Sequence, residues 1–382
     1  MTQKLFDFDG TILEFDAEVL ACKQIESGFA VVLDKTAFAP EGGGQRSDIG
    51  MLDAATVIDV RAEGDEILHI VDRPLTVGDT VHGVLARDRR IRHIQNHTGE
   101  HIVSGLFHTL YGYHNIGFHL GSEDVTMDLD GEVSEEMLRH VEREANRIVY
   151  ENRTVNIVYP DAEALATLSY RAKLDLSENV RIVTIDGVDA CACCAPHVTR
   201  TGQIGMIKLL FAIRYKGGTR IHMKCGFDAL DEFNAEFSRA VSISNRISLP
   251  RERIADGVDK LWADLAEANY KLVGLRRELI ACKAEAAKAT DGNLLFIEKE
   301  MDTNELRLLV SGAAAKAGVA CAAFSPDGEN AFRFVATYHG EDFEGWRKAL
   351  CEALGGHGGG KEPFIQGKAN CTEDEIRGFF GV

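Results

Sequence analysis

The sequence predicts an α+β protein of several domains, and three observations carry that prediction. At 382 residues the chain exceeds what one hydrophobic core ordinarily supports. Its first ninety positions are short apolar runs punctuated by turn residues. Further along, helix-like and strand-like stretches are mixed, and a long helical pattern near residue 260 is followed by a glycine-rich end.

Residues 1–90 carry apolar runs at 30–33, 57–60, 67–71 and 81–85, which is the strand spacing of a small barrel or sandwich; we expect a small β-barrel. Between two of these runs, Pro40-Glu41-Gly42-Gly43-Gly44-Gln45 sets three glycines in a row. That entropy cost is too high for an ordinary strand, so a close backbone approach or a flexible surface turn is expected there. Phe6-Asp7-Phe8-Asp9-Gly10-Thr11 resembles the first motif of haloacid-dehalogenase-type phosphatases. The β-like sequence after it lacks the alternating strands and helices that motif requires, so the match reads as chance.

From 91 to about 112, Ile91, Ile94, Ile102, Leu106 and Leu110 keep helical spacing and Gly112 can end the helix. An alternating strand follows at 125–129, and Ser134 caps a helix whose inward face is Leu138, Val141, Ala145 and Ile148. Further strands are expected at 154–159 and 180–185. Residues 228–290 are mainly helical. Ile254, Val258, Leu261, Leu265, Ala268, Leu272, Leu275 and Leu279 step by four and three, a heptad seam that fits a hairpin packed on itself or a coiled-coil homodimer arm. In the last part, 291–382, strands are expected at 306–310 and 332–336. The glycines of 355–363 would form a loop able to wrap phosphate, with Lys361 as a point charge. The expected division is therefore 1–90, 91–227, 228–290 and 291–382.

The net charge of −18, from 42 basic and 60 acidic residues, disfavours non-specific DNA binding. Arg87, Arg89, Arg90, Arg92 and His93 form the densest basic strip, which reads as a solvated charged face. No run is long and apolar enough for a membrane span and the first residues lack a secretory pattern, so a cytosolic location is expected. Of nine cysteines, three crowd at 191, 193 and 194, which fits metal or redox use better than a disulfide framework.

The chemistry concentrates in two stretches. On a helix, His97 and His101 of His97-Thr98-Gly99-Glu100-His101 lie one turn apart on one face. Cys193 and His197 repeat the separation of four. Three imidazole nitrogens and a thiolate suit tetrahedral zinc better than calcium or magnesium. Two rivals use fewer residues. His97-x-x-Glu100-His101 also matches the inverted zinc-protease signature, with Glu100 as base, which would make a peptide metallohydrolase. Cys191 and Cys194 match a redox or metal Cys-x-x-Cys pair.

These residues carry a resemblance. The His97 to His101 stretch, the Cys193 and His197 pair, and the Thr201-Gly202-x-Ile204-Gly205 that follows resemble the editing domain of alanyl-tRNA synthetases and the free-standing alanyl-tRNA editing proteins. Pro40 to Gln45 looks like that family's glycine motif, Thr219-Arg220-Ile221 like its closing strand, and the glycine-rich end like its C-terminal domain. The barrel begins at the first residues, so the long free-standing form is expected. The resemblance implies zinc on His97, His101, Cys193 and His197. It implies hydrolysis, in trans, of alanine tRNA mischarged with serine or glycine. Glu100, Thr98 and His119 are then the catalytic or pocket candidates, and Gly42, Gly43, Gly44, Gln45, Arg220 and Lys361 the substrate-binding ones. Cys194-Ala195-Pro196 departs from the family's usual Gly-Gly-Thr. If all four metal positions were closed and the metal purely structural, the same chain would be a non-catalytic tRNA-binding protein.

Overall fold

The structure, a computed structural model, describes residues 2–121, 125–172 and 180–382. They form two compact units, one ending at Ser242 and the other starting at Ile243.

In the first unit, six antiparallel strands close a barrel: β1 (Glu14–Ile25), β2 (Gly28–Leu33), β3 (Gly50–Leu52), β4 (Ala55–Glu63), β5 (Glu66–Val71) and β6 (Thr80–Leu85), in the order β1-β2-β5-β4-β3-β6. The period-2 pattern is visible in β1, where Phe15, Ala17 and Val19 are buried between exposed Glu14, Asp16 and Glu18. Their inward side chains meet Val31, Leu33, Val57, Val60, Val71 and Val81.

Behind the barrel runs α1 (Arg87–Tyr111), ended by Gly112 in the left-handed conformation. It packs on a four-stranded antiparallel sheet of β7 (Asn115–Leu120), β8 (Val125–Leu129), β12 (Ile207–Tyr215) and β13 (Gly218–Cys225), ordered β12-β13-β8-β7. A second helix, α2 (Glu135–Glu151), starts at Ser134, whose side chain accepts from the Met137 N–H. It buries Leu138, Val141, Ala145 and Ile148 in the same core. A three-stranded sheet of β9 (Val155–Val158), β10 (Ile182–Ile185) and β11 (Asp189–Ala192) flanks α1. Gly105 admits this approach, since a Cβ there would stand 2.5 Å from the Val188 carbonyl oxygen.

The middle of α1 breaks the rule that buried helix faces are apolar. Arg90, His93, Gln95, Asn96, His97, Thr98, Glu100, His101 and Ser104 are all buried. Buried polar groups require partners, and the basic strip at the helix start supplies an example. Arg90 pairs with Asp48 and donates to the Gly10 and Ala37 carbonyls, Arg89 donates to the Ser47 carbonyl, and Arg92 pairs with Asp228 at 2.6 Å. The expected solvated face is therefore corrected: three of these arginines tie the helix to the barrel and to α3 (Gly226–Ile247).

The second unit contains α4 (Ile254–Ala286), then a five-stranded sheet. Its strands are β14 (Leu294–Ile297), β15 (Ala320–Pro326), β16 (Ala331–Tyr338), β17 (His357–Gly359) and β18 (Phe364–Asn370), ordered β14-β15-β16-β18-β17. Two expectations fail here. Residues 306–310 lie in helix α5 (Thr303–Ala313), begun by a capping box between Asp302 and Glu305 and burying Leu306, Leu309, Val310 and Ala313. Part of the glycine-rich stretch is strand β17, where glycines let the edge strand lie close on β18: a Cβ at Gly358 would stand 3.0 Å from the Gln366 carbonyl oxygen. Along α4 the seam residues Val258, Leu261, Leu265, Leu272, Leu275 and Leu279 remain 40–63% exposed.

Candidate metal centre

His97 and His101 point from one face of α1 toward Cys193 and His197, which lie just beyond β11. One donor atom from each of the four residues lies within 4.8 Å of the others. Cys193 Sγ is 3.5 Å from His97 Nε2 and 3.4 Å from His197 Nε2. A tetrahedral zinc with bonds of about 2.0 Å to nitrogen and about 2.3 Å to sulfur would set those atoms about 3.5 Å apart, so the donor set fits the ion.

The far nitrogens support the same orientation. His97 Nδ1 lies 3.1 Å from Gln45 Oε1, His101 Nδ1 2.9 Å from Asp189 Oδ2, and His197 Nδ1 3.2 Å from Thr98 Oγ1. Each of these oxygens can accept a proton held at Nδ1, which leaves Nε2 as the donor on every ring. Thr98 Oγ1 is itself fixed by the Val198 N–H at 3.2 Å.

Electrostatics agree. Burial opposes ionisation of Cys193, yet the His97 and His197 imidazoles hold its thiol well below the ordinary range. Burial pushes the thiols of Cys191 and Cys194 up instead. Burial depresses His197 to about 3, whereas His101, against the same effect, is raised well above its usual value by Asp189 and Cys193.

Cys193 and not Cys194 faces the histidines because the loop is clamped. Buried Arg181 donates from Nη1 to the carbonyls of Cys193, at 2.6 Å, and Ala195, at 2.9 Å, and from Nε to the Asp7 carbonyl at 2.9 Å. Cys194 is left exposed.

Of the other predicted residues, Thr98 and Gln45 touch the donors. The glycine motif arrives beside them by a close approach: a Cβ at Gly43 would stand 3.4 Å from His97 Cε1, and one at Gly44, where φ is +81°, would stand 2.4 Å from the Phe118 carbonyl oxygen. Glu100 is buried and accepts from the Asn115 side chain. It is outside the converging donor set. His119 is exposed and on the opposite face of β7 from Phe118, whose ring centroid is 4.9 Å from that of His97. Arg220 pairs with Asp128 at 2.7 and 2.8 Å and covers the Tyr215 ring. Lys361 is exposed between β17 and β18 of the second unit.

Sequence reasoning missed Asp189, Arg171, Arg181 and Phe118. Asp189 stands two residues before Cys191 in an alternating strand, which was the one available signal. A cavity of about 980 Å³ lies against Asp189 and Arg171 and is also lined by Arg153 and Arg200, but none of the four donors lines it. It is therefore separate from the space the donors face.

Residues 180–222 match the second additional domain of threonyl and alanyl tRNA synthetases, and residues 8–89 match the class II (A) tRNA synthetases. The chain thus carries two stretches that match models of tRNA synthetase domains. It resembles in particular the alanyl-tRNA editing proteins and the matching part of alanine–tRNA ligases. Alanyl-tRNA editing protein Aarsd1-A of Xenopus laevis is 28% identical over 91% of this chain and 86% of its own length. The alanine–tRNA ligases of Ignicoccus hospitalis and Pyrococcus furiosus are 30% and 35% identical, over 80% and 73% of this chain. The chain spans only about a third of their length, 35% and 32%.

Proposed function

We propose that this chain hydrolyses the aminoacyl ester of alanine tRNA mischarged with serine or glycine, acting in trans, with zinc held by His97, His101, Cys193 and His197. The observation that carries the reading is the convergence of those four donors, each imidazole already oriented through Nδ1, in a chain resembling the alanyl-tRNA editing proteins.

The bound ion would supply a fixed positive charge beside the ester. The chain's own residues supply the rest. Gln45, Asp189 and Thr98 keep the histidine protons at Nδ1. The Gly42 to Gln45 segment and Phe118 form a wall over the donors. A polar pocket can select serine by hydrogen-bonding its hydroxyl, whereas alanine, being smaller, cannot be excluded by size. Glu100 is the candidate base, although its bond to Asn115 must loosen for that role. In the second unit, Lys361 and the chain around it would grip the folded RNA through phosphate and shape.

One observation favours a second reading. Four protein donors leave no free position on a tetrahedral ion, which is the arrangement of a structural site. The peptide-hydrolase reading is weaker, because Cys193 and His197 fill the positions that a water and a distant glutamate would occupy. Incubating serine-charged alanine tRNA with wild type, Cys193→Ala and Glu100→Gln decides among them. Rapid release of serine by wild type alone is expected. Full-rate release by Glu100→Gln would remove that base, and survival of the ester with wild type at one zinc per chain would establish the structural reading.

A further inference from the structure

The Asp189 side chain is 2% exposed, and among the described residues every hydrogen bond it makes serves the metal centre or the arginine that holds it. Its Oδ2 lies 2.9 Å from His101 Nδ1 and 2.8 Å from Arg171 Nη2, and its Oδ1 lies 2.7 Å from Arg171 Nε. The guanidinium is in turn anchored to Ser104 Oγ on α1, at 2.7 Å, one turn beyond His101. Arg171 is also paired through its backbone with β11, donating to the Ala190 carbonyl at 2.8 Å and accepting from the Ala192 N–H at 2.9 Å. Helix, strand and arginine therefore fix both oxygens of one carboxylate, and the carboxylate fixes one imidazole.

We propose that Asp189, clamped by Arg171, is the positioning residue that sets His101 as an Nε2 donor, so that metal affinity depends on a pair that supplies no ligand. This rests on the reading that the four donors bind zinc. A free imidazole ring can rotate about its χ2 bond and present either nitrogen. The bidentate pair with Arg171 removes that freedom, because turning the ring would leave a buried carboxylate oxygen without one of its donors. The carboxylate also makes the imidazole a stronger donor to a cation. Gln45 and Thr98 hold His97 and His197 with neutral oxygens, so the charged support is concentrated on His101.

The test is zinc affinity of the full-length chain, measured by competition with a chromophoric chelator, together with the visible absorption of the cobalt-substituted protein. Wild type is expected to take one ion with the bands of a tetrahedral thiolate–imidazole site. Failure of wild type to bind would overturn the metal reading itself. Given wild-type binding, Asp189→Asn, which keeps an acceptor but loses the charge and one arm of the arginine pair, is expected to bind about 10- to 100-fold more weakly. Unchanged affinity in a folded Asp189→Asn chain would overturn the positioning role. The route of the effect is read in a His101→Ala background, which leaves three donors. There Asp189→Asn is expected to change the residual affinity by less than about twofold. An equal loss in both backgrounds would mean that Asp189 acts on the fold and would overturn the proposal. If Arg171→Lys, which keeps the charge but not the fork, leaves both affinity and cobalt spectrum unchanged, the clamp is overturned even with Asp189 upheld.

Discussion

Cys193 and Cys194 are adjacent in the chain and opposite in environment. The first is half-buried among imidazoles that favour its thiolate, and the second is exposed on a loop held by Arg181. Cys193→Ala is expected to abolish stoichiometric zinc, read by elemental analysis after dialysis, while Cys194→Ala retains it. Zinc kept by Cys193→Ala and lost from Cys194→Ala would reverse the assignment. The four donors were legible in the sequence because spacing of four has a direct meaning on a helix, and because two such pairs needed each other. Asp189 and Phe118 were not legible. Their roles depend on which strand faces α1, and no local period records that. Of the glycine motif, the sequence left two readings open, and the positive φ of Gly43 and Gly44 beside His97 and Phe118 selects the close approach.

The long helical period and most of the short strand runs were read correctly, and the run at 306–310 was not. The helix around His97 was predicted from 91 to about 112 and runs from Arg87 to Tyr111. Five apolar-rich residues at 306–310 satisfied a strand as easily as a helix, and what decided the matter was the cap in front of them. Asp302 accepts from the Glu305 N–H at 2.8 Å while the Glu305 carboxylate accepts from the Asp302 N–H at 3.0 Å. Asp302→Ala removes half of that exchange and should cost about 1 kcal/mol, measured by urea unfolding of the full chain. A cost near zero would mean that burial of Leu306, Leu309 and Val310 alone sets the helix start. In the heptad element α4, Leu261, Leu265 and Leu272 remain more than half exposed, which a hairpin closed over its own seam would not leave. If the seam is a homodimer arm, Leu265→Glu with Leu272→Glu lowers the mass seen by sedimentation equilibrium by half. The same mass for both proteins excludes the arm.

At the scale of the whole molecule, acid should weaken the first unit for a reason unrelated to the metal. His69 lies inside the barrel wall with its Nδ1 3.2 Å from the Val31 carbonyl oxygen and its Nε2 2.8 Å from Thr36 Oγ1. Thr36 Oγ1 already accepts from the Phe38 N–H at 3.0 Å, so its hydroxyl proton is free to be given to Nε2. That chain of donors needs a neutral imidazole, and burial lowers the folded-state value from 6.5 to about 4. The unfolded chain binds this proton near 6.5 and the folded chain does not until about 4, so stability is complete above pH 6.5 and falls as the pH drops between the two. The full loss is on the order of 3 kcal/mol from this residue. Buried His93, lowered to about 4 chiefly by desolvation, adds a loss of the same sign over the same window. His69→Gln keeps one donor and one acceptor without a titrating group, so its thermal midpoint should fall less steeply than that of wild type between pH 6.5 and 4, measured in excess chelator so that metal loss is common to both. Parallel curves for the two proteins would show that the unfolding step at acid pH starts outside the barrel.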